Sequence, residues 1–300
     1  MRIFRRLSNL VPAAGLSTAT RATGFRTAMA AAALILLAAA IACGGAATDE
    51  AAETAAPAGA PASEAISYDP AILDEPGRTE DDHYRDGGTK PLELYAFFGV
   101  EPGMTVGDLA TSRMYNAHIL GQIVGDEGTV YAIVTYRDTV SDQALQGAQQ
   151  TFAARNVAGG MANVEIVGTL EDLPDESLDL LITVRNYHDF GERADRLATI
   201  PRLLRVLKPG GILGAVDAHT DKTDERDESV HRLNEDLARQ ELIEGGFELV
   251  ASSDLLYNPD DTFDFDGREG LETPDDPSDD APIHRYFIHR WALKMRKPMN

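Results

Sequence analysis

From Pro91 onward, short runs of aliphatic and β-branched residues alternate with longer stretches whose apolar positions recur at helical spacing. Thr105–Leu109, Val130–Thr135, Val164–Val167, Leu178–Val184, Ile212–Val216 and Phe247–Ser252 predict six strands, and Tyr286–Met295 a seventh. Between them Pro91–Phe98, Asn116–Val124, Ser141–Asn156, Ala194–Leu207 and His231–Gly245 predict helices. In the fourth of these, Leu197, Ile200, Leu203, Leu204 and Leu207 line one face. Glu101-Pro102-Gly103, the Gly125–Gly128 stretch and Lys208-Pro209-Gly210-Gly211 punctuate the pattern, and Asn258–Pro282, rich in Asp, Pro and Gly, reads as an exposed loop. Strands separated by helices argue for βαβ units and a mostly parallel sheet. Residues 67–298 suffice for one large domain with a substantial core.

The amino-terminal region follows a different logic. Arg2, Arg5, Arg6, Arg21 and Arg26 form a basic segment with no acid before Asp49, and Ala28–Ala42 is apolar throughout. Such a run is short for a bilayer span and right for the core of a signal peptide, here residues 1–42. It ends in Ala40-Ile41-Ala42-Cys43-Gly44, which resembles the bacterial lipobox, with Ala40 where a larger aliphatic residue is usual. Lipidation at Cys43 is the expectation, against an ordinary cleaved signal or a short retained anchor. Two acyl chains hold a protein stably at a membrane, and no other membrane contact is expected. Residues 43–66, mostly Ala, Gly, Pro, Thr, Ser and Glu, cannot bury a core and read as a disordered tether. Cys43 is the single cysteine, so intrachain disulfides and cysteine-based metal sites are excluded. The net charge is −22, and loss of the five arginines of residues 1–42 takes it to −27, which disfavours nucleic acid as a partner. The expected location is the periplasmic side of the cell envelope, with Gly44 after the cysteine resembling an outer-membrane sorting pattern.

The order of five strand–helix steps and a terminal strand pair resembles the class I S-adenosylmethionine-dependent methyltransferases. Phe97–Val106 resembles the lead-in to that family's first strand, and Leu204-Arg205-Val206-Leu207-Lys208-Pro209-Gly210-Gly211 resembles its turn before the fifth. Arg185–Asp189, Val216–His219, His231-Arg232 and Met295–Pro298 resemble an exported, lipoprotein subgroup of such proteins. The resemblance covers Pro91–Pro298. It implies an α/β, Rossmann-like doubly wound sheet of about seven strands, mostly parallel with an antiparallel C-terminal strand. It also implies S-adenosyl-L-methionine as cofactor and a methyl acceptor, small molecule or otherwise, that the residues do not identify.

The family's first strand runs into an acid and a glycine-rich turn, D-x-G-x-G-x-G. Glycine is needed there because the turn visits positive φ and the cofactor lies against the backbone. Here Asp108 takes the acidic place, but Ala110, Ser112 and Met114 replace the glycines, followed by Tyr115. The cofactor-binding residues this implies are Asp108, Ala110, Ser112 and Tyr115, with Glu171 and Asp172 in the acidic loop after strand three. The terminal acid of strand two is missing, Asp138 coming about three residues late. Asp108 capping the next helix, and Glu171 and Asp172 as plain surface acids, are the structural alternatives.

Asn186, Tyr187, His188 and Asp189 follow strand four, at the edge where open α/β sheets bind ligands. An imidazole beside a carboxylate and a phenol suits deprotonation of a methyl acceptor, so these four are the catalytic candidates. The alternative is a packed Tyr187 and a His188 that only fixes its loop. His219 and Asp217 lie after strand five and with His188 and Asp189 form a weaker candidate set for a divalent ion, although no tight ligand spacing supports it and no metal is assigned. Two functions stand at this point. One is a methyltransferase; the other is a catalytically inactive lipoprotein of the same fold that binds another ligand or partner, favoured by the missing glycines and by export away from the cytosolic cofactor.

Overall fold

The computed structural model describes residues 66–111, 113–223, 230–263 and 286–299. The proposed signal peptide, Cys43, all but the last residue of the tether, Ser112, His284 and residues 264–282 of the anticipated loop lie outside the described residues. Among the described residues no helix is long and apolar enough to cross a membrane.

Among the described residues six α-helices and seven strands follow in the order α1 Glu80–Thr89, α2 Pro91–Phe98, β1 Thr105–Leu109, α3 Tyr115–Val124, β2 Thr129–Ile133, α4 Asp142–Arg155, β3 Val164–Val167, β4 Leu178–Val184, α5 Arg193–Val206, β5 Leu207–Ala218, α6 Glu235–Glu244, β6 Glu248–Ser253 and β7 Arg290–Arg296. They build one sheet in the order β3-β2-β1-β4-β5-β7-β6. β1 to β5 are mutually parallel, while β7 runs antiparallel to β5 and β6, between which it inserts. The doubly wound sheet is therefore as expected.

Both faces of the parallel strands are covered, as such sheets require. Val106, Val130, Leu180, Ile182 and Val184 pack with α2 and α3 on one side. Leu109, Ile133, Leu181, Leu213 and Ala215 pack with α5 and α6 on the other. Successive residues of a strand thus serve opposite layers. Gly214 of β5 lies so close to α2 that a Cβ there would meet the Phe98 ring at 2.7 Å.

Three departures from the sequence expectation have local causes. Lys208-Pro209-Gly210-Gly211 was expected to stop a helix before a strand at Ile212, but β5 already begins at Leu207. Its irregular start, with Gly210 at φ 78°, finds ladder partners in Lys297: Gly210 N donates to Lys297 O and Lys297 N to Gly211 O. α6 begins at Glu235 rather than His231, because Asn234 Oδ1 caps the amides of Asp236 and Leu237 while His231 sits at φ 53°. Finally, α1 has no apolar stripe for periodicity to reveal. A Thr79/Asp82 capping box starts it, and Asp82 forms a buried bidentate pair with Arg155 at 2.6 and 3.0 Å.

Candidate active site

β1 and β4 are neighbours at the centre of the sheet, and the chain leaves them toward opposite faces, β1 into α3 and β4 into α5. The crevice at their carboxyl ends is the topological switch point where open α/β sheets hold ligands.

The turn after β1 carries residues of L configuration in left-handed backbone, Ala110 at φ 60° and Met114 at φ 57°. These are conformations glycine adopts without strain, and each costs an L residue roughly 1–2 kcal/mol. The turn therefore keeps a glycine-type path without the glycines. Thr111 N donates to Ile133 O at 3.0 Å and ties the turn to the end of β2. The Met114 side chain points away from the turn and is fully buried in the core cluster of α2 and α3.

Asp108 is fully buried, an unusual place for a carboxylate. Its Oδ1 accepts from Asn116 Nδ2 at 3.1 Å, and Asn116 Oδ1 in turn accepts from the Tyr95 hydroxyl at 2.9 Å. Oδ2 is buried and takes no well-formed hydrogen bond. Burial pushes this carboxyl up to about 6, against the opposing pull of Thr111, Asn116, the Arg85 charge and the Ala117 amide. Tyr115 opens α3 and points its hydroxyl at Asp86 Oδ1, 2.6 Å away.

The end of β4 is fastened to that of β1. Asn186 Nδ2 donates to Leu109 O at 3.3 Å and to Val184 O at 2.9 Å. Arg185 sits at φ 60°, so three left-handed positions, Ala110, Met114 and Arg185, follow the carboxyl ends of β1 and β4. In the 3-10 turn Tyr187–Phe190, the His188 amide donates to Asp217 Oδ2 and its Nδ1 lies 2.8 Å from Asp217 Oδ1. Its Nε2 lies 3.4 Å from Asp189 Oδ1. His188 and Asp217 are buried, whereas Asp189 is partly exposed. The His231 ring meets the His188 ring edge-on at 5.9 Å.

The other candidates are placed elsewhere. Tyr187 turns away from the crevice into the α5–α6 core, where its hydroxyl donates to Glu241 Oε2 at 3.2 Å beside the buried Arg196–Glu241 pair. Burial holds its phenol far above the ordinary range. Glu171 is gripped by Arg202 at 2.7 and 2.6 Å, which lowers its carboxyl below the usual value. Asp172 accepts from Thr169 N and closes its own turn. Arg202 also binds Tyr136 O and pairs with Asp138 at 3.0 Å, so the loops after β2 and β3 are clipped to α5. Tyr136 donates to Asp189 O at 2.6 Å, and a cavity of about 560 Å³ lies among Tyr136, Asp189, Phe190, Asp195, Thr199 and Arg202. His219 stands apart from His188, its ring 4.8 Å from His289 and 5.2 Å from Phe263. Among the described residues no group of three or more His, Cys, Asp or Glu is arranged to hold a metal ion.

Asn116, Tyr136, Arg85 and Arg290 escaped sequence reasoning. Only Arg290 had a legible signal, a cation at the edge of the apolar run Trp291-Ala292-Leu293. Asn116 reaches Asp108 only because the turn folds back.

This fold, with its strand order and the crevice between β1 and β4, is that of the class I S-adenosylmethionine-dependent methyltransferases. Among solved structures, a SAM-dependent methyltransferase from Aquifex aeolicus superposes with a TM-score of 0.51 at 20% identity, covering 77% of this chain and 99% of that one. Among curated proteins, the chain is similar to the ubiquinone/menaquinone biosynthesis C-methyltransferase UbiE of Shewanella woodyi, 33% identical over 128 residues, 42% of this chain and 47% of that protein. The corresponding protein of Shewanella piezotolerans is 33% identical over 117 residues, 38% of this chain and 43% of that protein. The chain thus spans about half the length of the curated relatives it matches. No family model matches it.

Proposed function

We propose that the chain is an S-adenosylmethionine-dependent methyltransferase acting on a small-molecule acceptor held over β4 and β5. The observation that carries this reading is Asp108. A carboxylate buried at the carboxyl end of β1, with one oxygen lacking a well-formed hydrogen bond beside a turn held in glycine-type backbone, is costly to maintain without a ligand.

The residues present fit the cofactor. Ala110 offers the smallest side chain after glycine, and Met114 is drawn into the core. Asp108 and the backbone of Ala110 and Tyr115 would hold the cofactor, which when bound supplies an electrophilic methyl group. Glu171 and Asp172 serve the site indirectly, by fixing the loop after β3. Asn186 keeps the carboxyl ends of β1 and β4 in register. Asp217 orients the His188 ring and favours the tautomer with the proton on Nδ1, so Nε2 is the nitrogen that takes a proton from the acceptor, next to Asp189. Tyr187 anchors the turn from below and touches no reactant in this reading. Alignment of acceptor and methyl group in a dry crevice supplies most of the rate.

Calorimetric titration with S-adenosylmethionine and S-adenosylhomocysteine tests the reading. Micromolar binding abolished by Asp108→Ala is the expected result, and Ala110→Gly, which frees the left-handed position of the turn, is expected to tighten it. Absence of heat at millimolar ligand would overturn the enzyme and leave the ligand-binding alternative. For the amino-terminal segment we propose export and lipid anchoring at Cys43, which the lipobox-like stretch supports. Metabolic labelling with radioactive palmitate should mark the chain and fail for Cys43→Ser; equal labelling of both would sink the anchor.

A further inference from the structure

The carboxyl edge also holds cations that form no ion pair with an acid among the described residues. Arg85 of α1 stacks on the Tyr115 ring, its Cζ 3.8 Å from the ring centre, and faces Tyr286 at 5.7 Å. Among the described residues its guanidinium has no ion pair and no hydrogen bond, and its Nε is buried. Arg290, the first residue of β7, is fully buried. Its Nη2 donates to Gly88 O and Tyr286 O at 2.6 Å each, both uncharged acceptors, while its Nε is a buried donor without a partner. α1 comes so near here that a Cβ on Gly88 would lie 2.1 Å from Tyr286 O, which holds Arg290 and Arg85 against the same wall.

Acids are close but committed. Asp86 takes both the Arg78 guanidinium, at 2.6 Å, and the Tyr115 hydroxyl. Asp81 binds Arg113 and the Tyr286 hydroxyl. Asp217 is taken by His188 and by backbone amides, and Asp108, which feels the Arg85 charge, bonds Asn116 and not the guanidinium. Burial and the charges of Arg185 and Arg85 pull Arg290 down to about 9, so these cations sense one another. In a chain whose net charge is −22, two guanidinium groups at one edge with no carboxylate hydrogen-bonded to either mark a place kept for an anion from outside.

We propose that Arg85 and Arg290 form the binding site for a carboxylate on the methyl acceptor, which makes the acceptor a small organic acid. The proposal rests on the methyltransferase reading above. The position of Arg290 favours the acceptor over the cofactor, while Arg85 on Tyr115 stands between the two. Arg290 pairs in register with Ala218 of β5, next to Asp217, on the β4–β5 side where His188 stands, whereas the cofactor turn belongs to β1 and β2. A planar carboxylate fits the guanidinium fork, and an acid seated there has its reactive group directed along the edge toward the His188–Asp217 pair.

The probe is benzoate, with benzamide as its uncharged counterpart, observed by saturation-transfer NMR on the full chain. Benzoate is expected to bind at millimolar concentration and benzamide at least tenfold more weakly. Arg85→Gln should weaken benzoate at least tenfold and Arg85→Lys less, and Arg290→Gln should match Arg85→Gln if it folds. Saturating S-adenosylhomocysteine should leave benzoate bound. Equal binding of the two probes, failure of benzoate to bind, or indifference to Arg85→Gln overturns the site. Displacement of benzoate by S-adenosylhomocysteine, but not by 5′-methylthioadenosine, would assign the arginines to the cofactor's own carboxylate and also overturn the proposal. Because benzoate is tested on the cofactor-free protein, failure here is distinct from failure of S-adenosylhomocysteine to bind.

Discussion

Replacing Asp108 by Asn keeps the side-chain shape and the bond from Asn116 but removes the charge. Burial raises the Asp108 carboxyl from 3.8 to about 6, a difference of ~3 kcal/mol between its two protonation states. Because the folded value lies above the unfolded one, the folded state binds the proton more tightly. The associated stabilisation is complete below pH 3.8 and is lost as the pH rises through about 6. At pH 7.5 the wild-type protein therefore carries an ionised, poorly solvated carboxylate. Asp108→Asn should be more stable there by up to ~3 kcal/mol, with the gap shrinking as the pH falls toward 4. Urea unfolding of both proteins at pH 7.5, 6 and 4.5 measures the gap. His118 and His289, which burial holds at about 4, lose stability in the opposite sense as the pH falls from 6.5, but they do so in both proteins and cancel in the difference. The same substitution should cost S-adenosylhomocysteine binding, the stability–function exchange expected of a strained site. A gap that is independent of pH, or a less stable Asn variant at pH 7.5, would refute the reasoning.

Ala110→Gly should leave stability unchanged or raise it by up to ~1 kcal/mol, because it relieves left-handed strain at a small entropic cost. Met114→Gly relieves the same strain but empties a fully buried site, and should lose ~2–4 kcal/mol; thermal unfolding separates the two. Asp217→Asn should lower turnover on any accepted substrate by roughly 10²–10⁴-fold while calorimetric affinity for S-adenosylhomocysteine stays the same, and a parallel fall in both would remove His188 from proton transfer. His118 is fully buried with neither ring nitrogen bonded, and Arg78 and Arg155 add to burial in opposing its charge. His118→Leu should therefore flatten the loss of stability between pH 6.5 and 4, which chemical unfolding across that window reads directly.

What the chain's own pattern determined is the sheet and its covering. The near-continuous apolar run Leu178–Val184 and the leucines at helical spacing in Arg193–Val206 leave little freedom in which elements form, since the strand buries both faces and the helix one. Asp108 and the turn after it were legible because they end the first strand where the resemblance places the family's acid and glycine-rich turn. The pairings were not legible. His188 meets Asp217 across 29 residues, Asn186 meets Leu109 across 77, and Arg290 meets Gly88 across 202. A polar side chain carries no periodic signal of its partner, so only strand order and register decide which polar groups converge. The same holds for Tyr187 and His188, adjacent in the chain and equally suited to chemistry by residue type. One 3-10 turn sends the first into a core to satisfy Glu241 and turns the second to Asp217 at the edge. Residue type and spacing therefore proposed the chemistry, while the packing of α1, β4, β5 and β7 around one edge selected which residues can take part in it.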